Sequence, residues 1–500
     1  MSFARVYSAQ INGLKASIIK VETDITSGLY SFSVVGLPDK GVEESRDRVS
    51  AAIKNTGYTS PKSRNNKITV SLAPAELRKE GPVFDLPIAL SFLIASGEIK
   101  ANLDDTIIIG ELSLFGECEN IKGVLPITEA AKRAKFKRLF LPFINADEAS
   151  LVDGIEVYGF KSLRELIDHI EGTTPMTPMP TREIDYQIPE THLDMIEVKG
   201  QELAKRALLI AAAGGHNICM YGPPGTGKTM LAKSFASLLP PLTREEIFEV
   251  SGIHSVVGNR KLVTYPPYRS PHHTASNVSL VGGGAVPKPG EITLAHKGVL
   301  FMDEFPEFSS ETLEALREPL EDGKVTITRA SGSMTYPAKF ILVAAMNPCP
   351  CGNMGNKDKP CICRPTDIDR YEKKISGPIM DRIDMWIQVA NVKYEDLSNS
   401  PNGMDTATGQ DIIKRAREKS LLRNAGIINR DLTNKMLEEH ATLEANEEST
   451  LNTLAKQFSL SPRAYHRVLR VARTIADIDN SDQVKVNHII EAFQYRPKVR

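Results

Sequence analysis

The nine residues Tyr221-Gly222-Pro223-Pro224-Gly225-Thr226-Gly227-Lys228-Thr229 constrain this chain more than any other stretch. They follow the apolar run Asn217-Ile218-Cys219-Met220 and precede Met230-Leu231-Ala232-Lys233-Ser234-Phe235-Ala236, which predicts a strand, a tight turn and a helix. In that context G-x-x-x-x-G-K-[ST] is a phosphate-binding loop. Gly222, Gly225 and Gly227, with Pro223, Pro224 and Thr226 between them, let the backbone wrap closely around an anion, so that N–H groups and the helix N-terminus face it. Lys228 is expected to reach the β and γ phosphates, and Thr229 to place its hydroxyl on Mg²⁺. ATP and Mg²⁺ are therefore the expected ligands.

A second run, Gly298-Val299-Leu300-Phe301-Met302-Asp303-Glu304, reads as a buried parallel strand whose C-terminal end carries two carboxylates into the site. Asp303 is expected to hold Mg²⁺ and Glu304 to orient or deprotonate the attacking water, because phosphoryl transfer depends chiefly on positioning and charge neutralisation. Alone, such a strand end would be ordinary surface chemistry; paired with the loop, it implies ATP hydrolysis. A third apolar run, Phe340-Ile341-Leu342-Val343-Ala344-Ala345-Met346, leads to Asn347, placed to orient water near the γ-phosphate.

At 500 residues the chain has room for about three domains. Its 61 basic and 62 acidic residues nearly cancel, so any nucleic-acid surface must be local. No run approaches ~18 uninterrupted apolar residues and the N-terminus lacks an apolar leader, so a cytoplasmic protein without membrane contact is expected.

Residues 1–170 alternate strand-like runs (16–22, 67–72) with helical ones (41–53), which predicts an α/β unit. Residues 171–187, rich in Pro and Thr at their start, have the composition of an exposed linker. An ATP-binding α/β core is expected over 188–395, with a helix over 198–211 leading into the phosphate-loop strand. Residues 251–295 form a long polar insert containing Arg269-Ser270-Pro271-His272-His273-Thr274, whose adjacent histidines point to opposite sides of an extended segment and read as structural. A helix over 311–320 should end near Pro319. Beyond it, Lys324-Val325-Thr326-Ile327-Thr328-Arg329 and the run ending at Pro337 predict a hairpin about a Ser331-Gly332-Ser333 turn. In ring ATPases such hairpins can point into the central pore, where Lys324 and Arg329 would meet phosphates; a solvated edge hairpin is the other reading, and both stand.

Four of the six cysteines, Cys349, Cys351, Cys361 and Cys363, match the ligand count of a structural zinc site, although C-x-C is tighter than the usual spacing; four reduced thiols are the alternative. From about residue 396 to 500 the chain turns helical and charged, and Ser461-Pro462 predicts a capped helix start.

Two resemblances follow. Around Leu72 to Leu86, and again from Gly110 to Lys137, the first third resembles the proteolytic domain of the Lon family. There, however, Val83 stands where that family has its Ser nucleophile, and Leu125 or Ile127 where its Lys base falls, with Lys122 nearby. Neither apolar side chain can supply a nucleophile or a base, so a non-peptidase domain is expected. Arg382, within Gly377 to Asp384, occupies the place of an AAA+ arginine finger that completes the neighbouring subunit's site, or is only a surface ion-pair partner. Arg463, at the start of the Pro462 helix, matches the sensor-2 arginine of an AAA+ helical lid.

Taken with the Arg269-to-His273, Gly282-to-Glu291 and Cys-Pro-Cys-Gly segments, the chain resembles the YifB/ComM family of magnesium-chelatase-like AAA+ ATPases over nearly its whole length. That resemblance implies an α/β chain: a Lon-like first domain, a phosphate-loop AAA+ core with a central parallel sheet, and a helical lid. It further implies a homo-hexameric ring acting on DNA as a branch-migration helicase during natural transformation. A protein-remodelling or metal-chelatase motor is the alternative. An ATP-dependent protease is argued against by Val83.

Overall fold

Alternate residues of each strand turn to one core to build the first sheet. In β1 (Phe3–Asn12), β2 (Lys15–Ser27) and β4 (Asn66–Ala73), Val6, Ile19, Val21, Ile68, Val70 and Leu72 all turn to one core, as the two-residue strand period requires. A computed structural model describes the chain apart from residues 1–2, 13, 64, 260, 285–287, 330–331, 356–358, 392–402 and 498–500. With β3 (Ser31–Val35), β5 (Thr106–Ile108), β6 (Arg138–Pro142) and β7 (Glu156–Phe160), the order is β3-β4-β2-β1-β5-β6-β7. Strand β2 runs antiparallel to both neighbours, and the remaining pairs are parallel.

Helix α1 (Lys40–Asn55) starts where the Asp39 carboxylate accepts the Val42 N–H at 2.8 Å. Helix α2 (Asp85–Ala95) is buried along almost its whole length, and its first residue carries a charge inward. The Arg48 guanidinium meets that charge, donating to Asp85 from Nε at 2.7 Å and from Nη2 at 3.1 Å. In helix α3 (Val124–Arg133), Leu125 and Ile127 are buried in an apolar cluster, where they pack rather than react.

The chain divides into two compact units: residues 1–185 with 248–262, and residues 186–247 with 263–500. The Pro- and Thr-rich segment does not run free. Met179 N–H donates to the Val157 carbonyl at 2.7 Å, and Arg182 pairs with Asp147 at 2.9 Å, so the segment follows the first unit's surface.

The second unit is built on five parallel strands, β8 (Ile218–Tyr221), β9 (Tyr268–Arg269), β10 (Val299–Met302), β13 (Ile341–Met346) and β14 (Met385–Gln388), in the order β9-β10-β13-β8-β14. Every residue of β10 and β13 is buried, as a sheet covered on both faces demands. Helices α4 (Glu202–Gly214), α5 (Lys228–Leu238), α7 (Thr406–Arg423) and α8 (Pro462–Ile478) share one hydrophobic core with it. Helix α6 (Arg244–Val256) begins in this unit and ends in the first. The architecture is thus α/β, with a helical C-terminal region.

Several sequence expectations shift for local reasons. Helix α4 begins at Glu202 rather than near 198, because Gly200 and Gln201 are both left-handed, at φ 65° and 60°. The helix expected over 311–320 breaks into Ser310–Ala315 and Arg317–Asp322. Pro319 has no N–H to return to Ala315, so the chain restarts at Leu316 instead of ending at the proline. The insert is not a bare loop: it closes the end of α6, adds β9 to the main sheet and forms short helices Asn277–Val281 and Glu291–Leu294, anchored by buried Leu280 and Ile292. Single apolar residues in a polar stretch suffice to anchor such pieces. The hairpin pairs β11 (Lys324–Arg329) with β12 (Gly332–Pro337), and the Arg329–Gly332 pairing moves the turn forward to residues 330–331. Those turn residues and the Arg329 side chain lie outside the described residues.

Candidate active site

The phosphate loop leaves the C-terminal end of β8 and turns directly into α5. Gly222 is required by space: a Cβ there would sit 2.1 Å from the Val389 carbonyl oxygen. Gly225 and Gly227 are required by backbone, at φ 77° and 86°. Lys228, the first residue of α5, folds back into the loop and donates to the carbonyls of Gly222 and Pro223 at 2.8 Å each, and to Asn347 Oδ1 at 3.3 Å. Burial lowers its pKa, so the ammonium is poorly solvated and strongly attracted to an incoming anion. The loop is already shaped for a phosphate.

Strand β10 delivers Asp303 beside this lysine's helix, where the Thr229 hydroxyl donates to Asp303 Oδ2 at 3.0 Å. The pair offers the hydroxyl and carboxylate oxygens that a hard divalent cation prefers. Glu304, next in the chain, has a left-handed backbone at φ 50°. Its Oε2 lies 3.0 Å from Nδ1 of His273. Asn347 follows β13, with its backbone N–H on the hydroxyl of buried Tyr371 and its side chain on Lys228. Lys228, Thr229, Asp303, Glu304 and Asn347 thus come together at the C-terminal ends of adjacent strands, where parallel α/β sheets present their ligand sites.

The two arginines do not join them. Arg382 and Arg463 converge instead on one carboxylate, Glu321, with Arg463 Nη2 at 2.6 Å and Arg382 Nη2 in a closer contact. They line a cavity of about 710 Å³ that also holds Arg430, Arg467 and Arg470, and that opens beside Asn217 and Phe340. Asn217 precedes β8, and its side-chain amide donates to the Arg382 carbonyl at 3.0 Å. From Asn217 to Gly222 the chain advances five residues, about 16 Å at about 3.3 Å each. The arginine cluster therefore sits at the end of the sheet opposite the chain's own phosphate loop.

The four expected cysteine ligands do gather, with their sulfurs all within 4.8 Å of one another. Cys349 and Cys351 are 3.4 Å apart, and each lies 3.6 Å from Cys361. Tetrahedral Zn–S bonds of about 2.3 Å would place sulfurs about 3.8 Å apart, so the spacing suits zinc. Backbone N–H groups of Asn353 and Ile362 hold the Cys351 thiol down at about 6, and the Cys351 N–H donates to Cys363 Sγ at 3.3 Å. Backbone donors also pull on Cys361 and Cys363, but desolvation and the neighbouring thiols outweigh them and leave both raised. A cation would relieve that mutual repulsion. The loop packs on the Gly- and Pro-rich turn, since a Cβ on Gly352 would meet Pro224 at 2.7 Å.

Sequence reasoning missed two partners. His272 and His273 do not point to opposite sides: a turn brings their tilted rings together with centroids 4.2 Å apart, and His273 then lies against Glu304. Glu321 was equally invisible as the shared partner of two arginines. Both pairings span chain distances that no local pattern encodes. The outer face of the hairpin carries exposed Lys324, Thr326 and Thr328, while Val325 and Ile327 are buried.

Comparison with known proteins agrees with this layout. Residues 194–397 match the family described as magnesium chelatase, subunit ChlI; residues 21–145 match subunit ChlI of Mg-chelatase; and residues 403–496 match the ChlI C-terminal family. Competence protein ComM of Haemophilus influenzae is 41% identical over 100% of this chain and 98% of its own length. The Escherichia coli protein YifB is 42% identical over 99% of this chain and 97% of its own length. DNA replication licensing factor mcm7 of Schizosaccharomyces pombe is 22% identical over 60% of this chain and 39% of its own length. No helix among the described residues is long and apolar enough to cross a membrane. With a nucleotide-site layout that fits and full-length relatives at this identity, the chain belongs to the YifB/ComM family of magnesium-chelatase-like AAA+ proteins.

Proposed function

We propose that this chain is the subunit of a homo-hexameric ring ATPase that drives DNA branch migration on recombination intermediates during natural transformation. The observation that carries the ring is the position of Arg382 and Arg463, both at the sheet end away from their own phosphate loop. Arg382 Nε is also buried and has no partner among the described residues. An arginine that cannot reach its own chain's phosphates can serve a neighbour's.

In this reading ATP lies between subunits. Lys228 gives up its loop carbonyls for the β and γ phosphates, and Thr229 and Asp303 hold Mg²⁺. Glu304 takes a proton from the attacking water while Asn347 orients it. Arg382 and Arg463 of the adjacent subunit neutralise charge on the transferring phosphoryl group. The cysteine cluster holds a structural Zn²⁺ that fixes the loop beside Pro224.

The DNA assignment is supported by full-length similarity to the competence protein and by the exposed Lys324 face of the hairpin. The chelatase family matches favour a second reading, a protein-remodelling or metal-chelatase motor. DNA-stimulated ATP hydrolysis separates them: stimulation supports the DNA motor, and a rate indifferent to forked or single-stranded DNA favours the second.

A further inference from the structure

The arginine cavity extends past the two arginines that hydrolysis uses. Arg463, Arg467 and Arg470 fall at i, i+4 and i+7 of α8, on one face of the helix, and at about 1.5 Å per residue they span about 10 Å. Arg463 is exposed at one end of this row, Arg467 is 7% exposed and Arg470 is half-buried. The inner two are poorly satisfied. Among the described residues Arg467 meets only the Ile383 carbonyl at 3.5 Å and Asp384 Oδ1 at 3.7 Å, long beside the about 2.8 Å of a charge-assisted bond. Arg470 donates from Nε to the Leu432 carbonyl at 2.9 Å and has no ion pair among those residues. Burial lowers the pKa of both, so two guanidinium ions stand short of solvent and of counter-charge.

The charge of the whole wall points the same way. Arg382, Arg430, Arg463, Arg467, Arg470 and Lys339 face four carboxylates, those of Glu321, Asp322, Asp384 and Asp431, which leaves a surplus of two positive charges. An arginine fork fits two oxygens of a tetrahedral oxyanion, and a surplus of two matches a phosphate dianion. We propose that Arg467 and Arg470 form a site for inorganic phosphate, which receives that product after the neighbouring subunit's ATP is cleaved at Arg382 and Arg463. The inference rests on those two arginines serving a neighbour. The site itself lies further along α8 than Arg463, beyond the seat of the γ-phosphate.

The test is calorimetric titration of inorganic phosphate into the full-length protein at saturating Mg²⁺ and ADP, which keep the phosphate loops occupied. The parent is expected to bind one phosphate per chain, and Arg470→Gln to bind it at least about tenfold more weakly, the loss of one charge-assisted contact. Arg470→Lys keeps the charge and should recover most of the affinity. Lys339→Gln, at the exposed rim, should weaken binding about threefold without disturbing α8. If Arg470→Gln and Lys339→Gln, melting like the parent, bind phosphate as tightly as it does, the site is overturned. Binding lost in Arg382→Ala but kept in Arg470→Gln would put phosphate only where the γ-phosphate was, and overturns it too. A forked-DNA affinity that falls in Arg470→Gln, with the salt slope reduced by about one, would assign the cavity to backbone phosphate and overturn the product site. The titration needs neither turnover nor DNA, and mixing Lys228→Ala with Arg382→Ala tests the neighbour's part separately, so either reading can fail alone.

Discussion

Lys228 spends all its hydrogen-bonding capacity on three acceptors that a nucleotide can replace, and this makes the residue-scale consequences definite. Lys228→Ala should abolish binding of a fluorescent ATP analogue. Glu304→Gln should leave that binding intact and lower kcat by about 10²-fold or more, the range for a lost general base. Tight ATP binding by Lys228→Ala would show that the loop is not the phosphate site. That these residues come together was legible because a phosphate loop fixes residue type at fixed spacing, and because strands ending in Asp-Glu or Asn deliver those groups to the same sheet end. The side chains set against them were not legible. His273 read as a structural histidine and Glu321 carried no signal at all until the fold sets them against Glu304 and against two arginines.

Among elements, helix α8 docks on the N-terminal edge of β8 through a buried polar contact, His216 Nε2 to the Thr474 hydroxyl at 2.8 Å. Burial pushes the His216 pKa from 6.5 to about 4. The folded state therefore refuses a proton that the unfolded chain accepts below about pH 6.5, so unfolded protein binds more protons in that window. Stability from this group is complete above pH 6.5 and declines toward pH 4, by at most about 1.4 kcal/mol per pH unit. Between pH 7 and 4.5 the melting temperature of the parent should fall further than that of His216→Asn; parallel curves would contradict the assignment.

The cysteine loop is the second such element. Elemental analysis should find one zinc per chain, lost together with several degrees of melting temperature in Cys361→Ser. Four freely titrating thiols and no metal in the parent would contradict it. Element boundaries were readable wherever period and capping agreed, as for the helix begun by Ser461 and Pro462. They slipped where backbone conformation intervened, at left-handed Gln201 and at Pro319, whose missing N–H divides the expected helix. The insert was the hardest stretch because its anchors, Leu280 and Ile292, are isolated apolar residues without a period.

At the scale of the whole molecule, the separation of the arginines from their own phosphate loop has a sharp consequence. Lys228→Ala and Arg382→Ala proteins, each inactive alone, should recover hydrolysis when mixed, because some interfaces then pair an intact loop with an intact arginine. Arg463→Ala should behave in the same way. Failure of any mixture to exceed its parts would place both arginines in their own chain's site. Nothing in sequence spacing shows which end of the sheet an arginine occupies; the Asn217–Arg382 contact does.

The central claim is that hydrolysis moves DNA. Its most direct test is a synthetic four-way junction incubated with ATP and either the parent or Glu304→Gln. The account predicts that the junction accelerates hydrolysis by the parent and is resolved into duplex products by the parent alone. A parent enzyme that hydrolyses ATP at the same rate with or without the junction, and leaves it intact, would contradict the account.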